Sequence, residues 1–209
     1  MPQVQGILDF SFDDNNSENY QRLNTLIDRM EPIKLKSFVP KPQDVDYKRG
    51  WISRYFIAKS WFPSSMVEVT VDTYDNDFSK LNKGAYSRTQ VDWHISGNIK
   101  DYVMDGGQTG GVITKNMREI NESKKNVPAI IILKNNLLQF YKSDNLYTNG
   151  GEYTLQQGGS GLSYIGLYHI AAGIGPMVGP YHTGNAHATL YPMDGSDPAT
   201  IGNSMGGIL

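Results

Sequence analysis

The spacing of apolar residues changes along the chain, and these changes predict its elements. Apolar and polar residues alternate in three segments, 51–59, 66–72 and 86–96. This period of two is typical of strands with one buried face. In the second segment it would place Val67, Val69 and Val71 on one face, and in the third it would place His94 on the polar face. Because Gly, Pro and Asn-Asp residues separate the segments, we predict a small antiparallel meander.

Three other segments show helical spacing. One lies between the N-cap candidate Ser17 and Pro32, a second covers residues 112–125, and a third covers residues 129–141 behind Pro128. Apolar residues recur there every three or four positions, as on an amphipathic helix. For Ile130 to Leu133 a buried strand is the alternative. We therefore predict an α+β fold in which two or three helices pack against the meander.

The composition changes abruptly after Lys142. All nineteen Lys and Arg residues lie before that point, whereas residues 143–209 hold fourteen of the twenty-two glycines and only four acidic residues. A long segment with so few charges makes a poor solvated surface. Its six tyrosines also set it apart from ordinary disordered chain. We predict a core domain over residues 1–142 and a Gly/Tyr-rich, mostly β or irregular assembly arm over residues 143–209.

A glycine-rich loop, Asp105 to Gly111, leads into the second predicted helix. Such loops can bind phosphate through backbone N–H groups. This one lacks the Gly-Lys-Ser/Thr ending of a P-loop and the Rossmann glycine spacing. We interpret it as a turn between a strand and a helix.

Three of the four histidines, His169, His182 and His187, lie within residues 164–190. Three imidazoles with an open position can bind zinc or iron. Their separations fit no helical His-Glu-x-x-His pair, and no suitably placed glutamate accompanies them. We interpret them as structural or interfacial histidines, and a structural metal ion is the alternative. His94 belongs to the polar face of its strand.

The overall composition excludes several classes of function. A formal net charge of −2 gives no support for nucleic-acid binding. With no cysteine there is no disulfide, no thiolate nucleophile and no Cys-ligated zinc. The longest strongly apolar run, residues 129–133, is far shorter than the roughly 20 residues that span a bilayer. The first residues lack the pattern of a secretory signal, and we expect no membrane association.

The C-terminal segment resembles a known signature. Its elements are Tyr164-x-Gly-x-Tyr-His-Ile170, Gly175-Pro-Met-x-Gly179, His182-Thr183 and His187-x-x-Leu-Tyr191. Together they resemble the C-terminal signature of virion structural proteins from tailed bacteriophages. The family's second histidine after Tyr-His-Ile is Ala171 here, and its proline before the last histidine is Ala186.

The resemblance implies a non-enzymatic assembly role in a tail, baseplate or neck. The partners would be other virion proteins and copies of this chain, in a virion assembled from proteins made in the host cytoplasm. Tyrosines among glycines suit contact surfaces. The predicted partner-binding residues are Tyr164, Tyr168, Tyr181, Tyr191, Pro176 and Met177. The alternatives are a metal-dependent cell-wall hydrolase that uses the three histidines and a carbohydrate-binding module, and no cofactor is expected beyond a structural metal ion.

Overall fold

The computed structural model describes residues 35–60, 62–81 and 84–204. The described residues from Lys36 onward belong to one compact unit. The helix predicted between Ser17 and Pro32 lies outside the described residues. Helices and antiparallel sheets are both present, which confirms the α+β class. No helix in these ranges is long and apolar enough to cross a membrane.

The first layer is built on a three-stranded antiparallel sheet. A short helix, α1 (Asp44–Arg49), leads into β1 (Trp51–Lys59), which is followed by β2 (Phe62–Val69) and β3 (Tyr86–His94). The strand order is β2-β1-β3, so β1 is the central strand and β3 lies at an edge. The predicted antiparallel sheet is confirmed, and its three strands overlap the three predicted segments.

The second strand ends earlier than predicted. Val71 was expected on its buried face, but the strand stops at Val69 and a π-helical turn covers Thr73–Asp77. Val71 is 51% exposed, whereas Val69 is fully buried. The turn begins where the Thr70 hydroxyl accepts the N–H of Thr73, a local hydrogen bond that competes with strand pairing.

The main hydrophobic core lies on one face of this sheet. Ile52, Phe56, Val91 and Trp93 form it together with residues from the two helical elements that follow. The first is α2 (Val112–Ser123), as predicted, and the second is a 3-10 helix (Pro128–Asn136). The third predicted helix is therefore helical, but it is not an α-helix, and the alternative of a strand at 130–133 is wrong. With three residues per turn, this helix directs only Ile130 and Leu133 of its Ile-rich run to the core, while Ile132 is exposed.

Polar side chains of α2 cover the free edge of β3. Asn116 is fully buried, and its carboxamide accepts the His94 N–H at 2.7 Å and donates to the His94 carbonyl at 3.0 Å. One helical turn farther along, Glu119 accepts the N–H of Asp92, and one turn beyond that Ser123 donates to the carbonyl of Gln90. An edge strand presents a row of unpaired backbone groups. The helix therefore takes the place of a fourth strand.

The glycine-rich loop forms a hairpin of β4 (Tyr102–Met104) and β5 (Gly107–Thr109). Asp105 and Gly106 both have positive φ at its tip, as a two-residue hairpin turn requires. At the start of α2 the N–H of Gly111 donates to the Asp101 carboxylate, and the next two N–H groups donate to backbone carbonyls. These donors are already paired within the chain. The predicted turn between a strand and a helix is instead the tip and second strand of a β-hairpin that precedes α2.

Residues 143–204, here called the C-terminal layer, form their own small sheets. β6 (Leu146–Thr148), β8 (Gly166–Ala171) and β9 (Gly175–Val178) make an antiparallel sheet in the order β6-β8-β9. β7 (Tyr153–Thr154) pairs with β10 (Tyr191–Pro192), and α3 (Pro198–Ser204) follows. A separate apolar cluster of Leu146, Tyr168 and Leu190 holds this layer together.

Two asparagines join the C-terminal layer to the first. Asn98 accepts the N–H of Tyr147 at 2.6 Å and donates to its carbonyl at 2.8 Å. Asn145, which has a φ of 55°, donates to the carbonyl of Tyr47 and to the hydroxyl of Ser96. The layer is thus fixed to the first sheet by specific hydrogen bonds. The predicted domain boundary after Lys142 stays a prediction.

Candidate functional site

The C-terminal layer brings His169, His182 and His187 together, and we call these three residues the histidine cluster. His169 lies in β8 and the other two lie in the loop after β9. Gly179, with a φ of 100°, turns the chain out of β9. The chain then returns beside β9, where Met177 bridges to Thr189 and Val178 donates to the carbonyl of Ala188. This return places His187 next to His169.

The three imidazole rings form a triangle of nearly equal sides. The ring centroids are 5.1 Å apart for His169 and His187, 5.5 Å for His182 and His187, and 5.6 Å for His169 and His182. The His169 ring meets each of the other two edge to face. Each ring is therefore in contact with both of the others.

Backbone carbonyls fix the tautomers of two of the rings. Nδ1 of His169 lies 2.9 Å from the carbonyl of Gly179, and Nδ1 of His187 lies 3.1 Å from that of Val178. A carbonyl can only accept, so both Nδ1 atoms carry the proton and both Nε2 atoms offer a lone pair. The lone pair of His187 accepts the N–H of Thr183 at 3.1 Å and faces its hydroxyl at 2.9 Å.

The environment disfavours the protonated form of His169. Its side chain is 1% exposed, and burial lowers its pKa, an effect that the bond to Gly179 opposes and the neighbouring His187 reinforces. Its Nε2 is buried and has no hydrogen-bond partner among the described residues. His182 is exposed, and neither of its ring nitrogens forms a hydrogen bond within the described part of the chain. The cluster thus contains one deeply buried, unpaired acceptor and one exposed ring without a hydrogen bond in the described part of the chain.

A cavity of about 630 Å³ adjoins the cluster. His169 and His182 line it together with Asp144, Tyr141 and Tyr47 from the interface of the two layers. Burial raises the pKa of Asp144, while the nearby Lys142 and His169 act in the opposite direction. Burial also raises the pKa of Tyr141 to about 12, so its hydroxyl keeps its proton at neutral pH. In the ranges that the structure describes, no group of three or more His, Cys, Asp or Glu side chains forms a metal site as the side chains stand.

The predicted partner-binding residues lie in different environments. Tyr168, Pro176 and Met177 are buried within the C-terminal layer, and burial raises the pKa of Tyr168, which packs 5.2 Å from the ring of Tyr153. Their packing is internal in this chain. The other three are half-buried: Tyr164 donates to the carbonyl of Leu167, Tyr181 lies beneath the Lys48 ammonium, and Tyr191 is in β10. Binding of a partner by any of the six stays a prediction.

Sequence reasoning missed a set of exposed apolar side chains in the same layer. Leu162 is 92% exposed, Ile165 63% and Leu155 56%. A bridge between Thr154 and Ser163 sets Leu155 and Leu162 at neighbouring positions of two antiparallel segments. Leu167, Ile174 and Met193 are also exposed. The absence of Lys and Arg after Lys142 indicated a contact surface in this layer, but it did not identify which apolar side chains are exposed.

Comparisons of the chain with protein-family models, with curated proteins and with solved structures give no significant match. The fold and the site define an α+β protein whose C-terminal layer carries a cluster of three histidines and several exposed apolar side chains.

Proposed function

We propose that this protein is a structural subunit of a tailed-phage virion and that its C-terminal layer makes contacts between subunits. Its place would be in a tail, baseplate or neck, and its partners would be other virion proteins and further copies of the chain. The role is assembly and not catalysis. The resemblance of residues 164–191 to the virion signature supports a place in a virion, and the exposed apolar side chains support a contact surface.

The observation that carries the contact surface is the exposure of six large apolar side chains on a layer without Lys or Arg. Leu155 and Leu162 adjoin each other across the Thr154–Ser163 bridge; adjoining exposed apolar side chains support an interaction site, and the centres of interfaces are depleted in charged residues. Lys also opposes burial because a buried ammonium must be desolvated. A surface that lacks it can be covered by a partner at low cost.

A charge placed on this surface tests the proposal. We expect Leu162→Glu to reduce incorporation of the full-length chain into particles by at least about tenfold, since an unpaired buried carboxylate costs several kcal/mol. Val45→Glu is the matched control, because Val45 is 68% exposed but lies on α1, in the first layer. Incorporation is measured by quantitative mass spectrometry of purified particles. Circular dichroism of the isolated variants checks that both fold.

Equal incorporation of Leu162→Glu and the wild-type chain would refute the contact surface, and absence of the wild-type chain from particles would refute the virion role. Release of cell-wall fragments by the purified protein, lost in His182→Ala, would instead support a metal-dependent hydrolase. Glycan binding by the purified protein would support a carbohydrate-binding module.

A further inference from the structure

We propose that the histidine cluster binds one divalent ion of the late first-row transition series, Zn²⁺ being the ion it fits best, through His169, His182 and His187. The ion would join the loop after β9 to β8 and so fix the fold of the C-terminal layer. This inference rests on the cluster alone and is independent of the proposed role in a virion.

The spacing of the rings is the spacing of zinc ligands. A Zn–N bond is about 2.0–2.1 Å long and the ring centroid lies about 1.1 Å beyond the nitrogen, so two imidazoles on a tetrahedral ion have centroids about 5 Å apart. The three observed separations run from 5.1 to 5.6 Å. The ring centres therefore already lie at about the separations that a shared ion requires.

The hydrogen bonds of two rings match those of metal ligands. A metal-binding histidine usually donates its second ring N–H to a carbonyl or carboxylate, which fixes the tautomer and directs the other nitrogen at the metal. His169 donates to Gly179 in this way and His187 donates to Val178. Both rings are thus held with Nε2 as the ligand atom.

The buried Nε2 of His169 is the second, independent sign of a ligand. It has no hydrogen-bond partner among the described residues, and an unpaired buried acceptor costs about 1–3 kcal/mol. Native proteins seldom leave such an atom unpaired without a reason. A metal ion would supply the missing partner.

Two small rearrangements would complete the site. As the side chains stand, the Nε2 atom of His187 is paired with Thr183, and the described side chains do not form a closed site. Thr183 belongs to the same loop and would have to give up this bond. The exposed ring of His182 would turn toward the other two, and it has no hydrogen bond within the described residues to lose.

The chemistry of the donors limits the kind of ion. Three neutral imidazoles suit Zn²⁺, Cu²⁺, Ni²⁺ or Co²⁺ and disfavour Ca²⁺ and Mg²⁺, which require oxygen ligands. Asp144 lines the adjoining cavity, which has room for a water or a carboxylate as a fourth ligand.

The test uses the full-length chain, freed of metal with a chelator and titrated with ZnCl₂ in a calorimeter. We expect one Zn²⁺ per chain. Zn²⁺ at about a hundredfold excess over Kd should raise the Tm by about 5–10 °C. CoCl₂ in place of ZnCl₂ should give the visible absorption bands of tetrahedral Co²⁺.

His182→Ala is the decisive variant because the exposed side chain contributes little to the apo fold. It should lose at least about tenfold in Zn²⁺ affinity, together with the Co²⁺ bands, while its Tm in chelator stays within about 2 °C of wild type. His169→Gln and His187→Gln should lose binding as well. The matched control is His94→Gln, which removes the one histidine outside the cluster and should leave Zn²⁺ binding unchanged.

The proposal fails if the wild-type chain binds no Zn²⁺. It also fails if His182→Ala binds as tightly as wild type, or if His94→Gln loses binding to the same degree as the cluster variants. None of these outcomes bears on incorporation into particles, so failure here is distinct from failure of the assembly role.

Discussion

Replacement of Asn116 by alanine would test whether α2 takes the place of a strand at the edge of β3. Asn116 is fully buried and forms three hydrogen bonds, two with the backbone of His94 and one to the carbonyl of Leu137 at 2.8 Å. Its carboxamide therefore satisfies three backbone groups from two elements. Alanine keeps the helix but removes all three partners.

The magnitude follows from those three groups. A buried polar group that loses its partner costs about 1–3 kcal/mol, so the sum is about 3–9 kcal/mol before relaxation. Small shifts of the helix and entry of water would recover part of this. We expect the free energy of unfolding to fall by about 3–5 kcal/mol, a large fraction of the 5–15 kcal/mol that is typical of a domain.

The assay is equilibrium unfolding in urea, followed by circular dichroism and by tryptophan fluorescence. Asn121→Ala is the matched control, since Asn121 is exposed on the same helix, and we expect a change within about 0.5 kcal/mol. Asn116→Asp keeps the side-chain volume but turns an oxygen toward the two carbonyls, and it should destabilise at least as much at neutral pH. A loss below about 1 kcal/mol for Asn116→Ala would refute the reasoning.

Two further predictions concern charged groups of the first sheet. Arg54 is 3% exposed and forms a bidentate ion pair with Glu68 at 2.7 and 2.8 Å. Glu68→Ala would leave this buried guanidinium without its partner and should lower the free energy of unfolding by about 3–5 kcal/mol in the same urea assay. The control is Glu122→Ala, on the exposed face of α2. Burial lowers the pKa of His94 to about 4. Between about pH 6.5 and pH 4 the unfolded chain therefore binds more protons than the folded one, so the free energy of unfolding should decrease as the pH is lowered through that window. The expected loss is about 1–2 kcal/mol, reduced by the partial exposure of this group, and His94→Gln should remove it; equal pH dependence in wild type and variant would contradict this.

The local pattern of the sequence was sufficient to locate the first sheet and α2. Strands with one buried face alternate apolar and polar residues, and this alternation located Trp51–Lys59 and Tyr86–His94 closely. The pattern does not specify which strand lies in the centre. In the structure Glu68 of β2 forms an ion pair with Arg54 of β1, and α2 covers β3 on its outer side. Both are long-range interactions.

The spacing of apolar residues could not predict the type of helix after Pro128, for a different reason. Consecutive β-branched residues, Ile130 to Ile132, supply apolar side chains at every position, so neither an α nor a 3-10 spacing stands out. β-branched residues also lose side-chain freedom in an α-helix. The structure resolves the ambiguity by burying Ile130 and leaving Ile132 exposed.

The residues of the histidine cluster could be predicted from the sequence, but their arrangement in space could not. The sequence concentrated three histidines in one stretch, but their spacing matches no local motif, because the rings meet only through the return of the chain after Gly179. That return depends on backbone pairs of β9 with residues 188 and 190.

An uncharged segment rich in glycine can follow such a path because few side chains obstruct it, but its backbone loses more entropy on folding than that of other segments. A ligand that binds three of its side chains at once would offset that loss, whereas a surface contact through Leu162 alone would leave the loop after β9 unsupported. The two proposed roles of the C-terminal layer are therefore complementary: the cluster fixes the loop, and the exposed apolar side chains are presented from a layer that is already ordered.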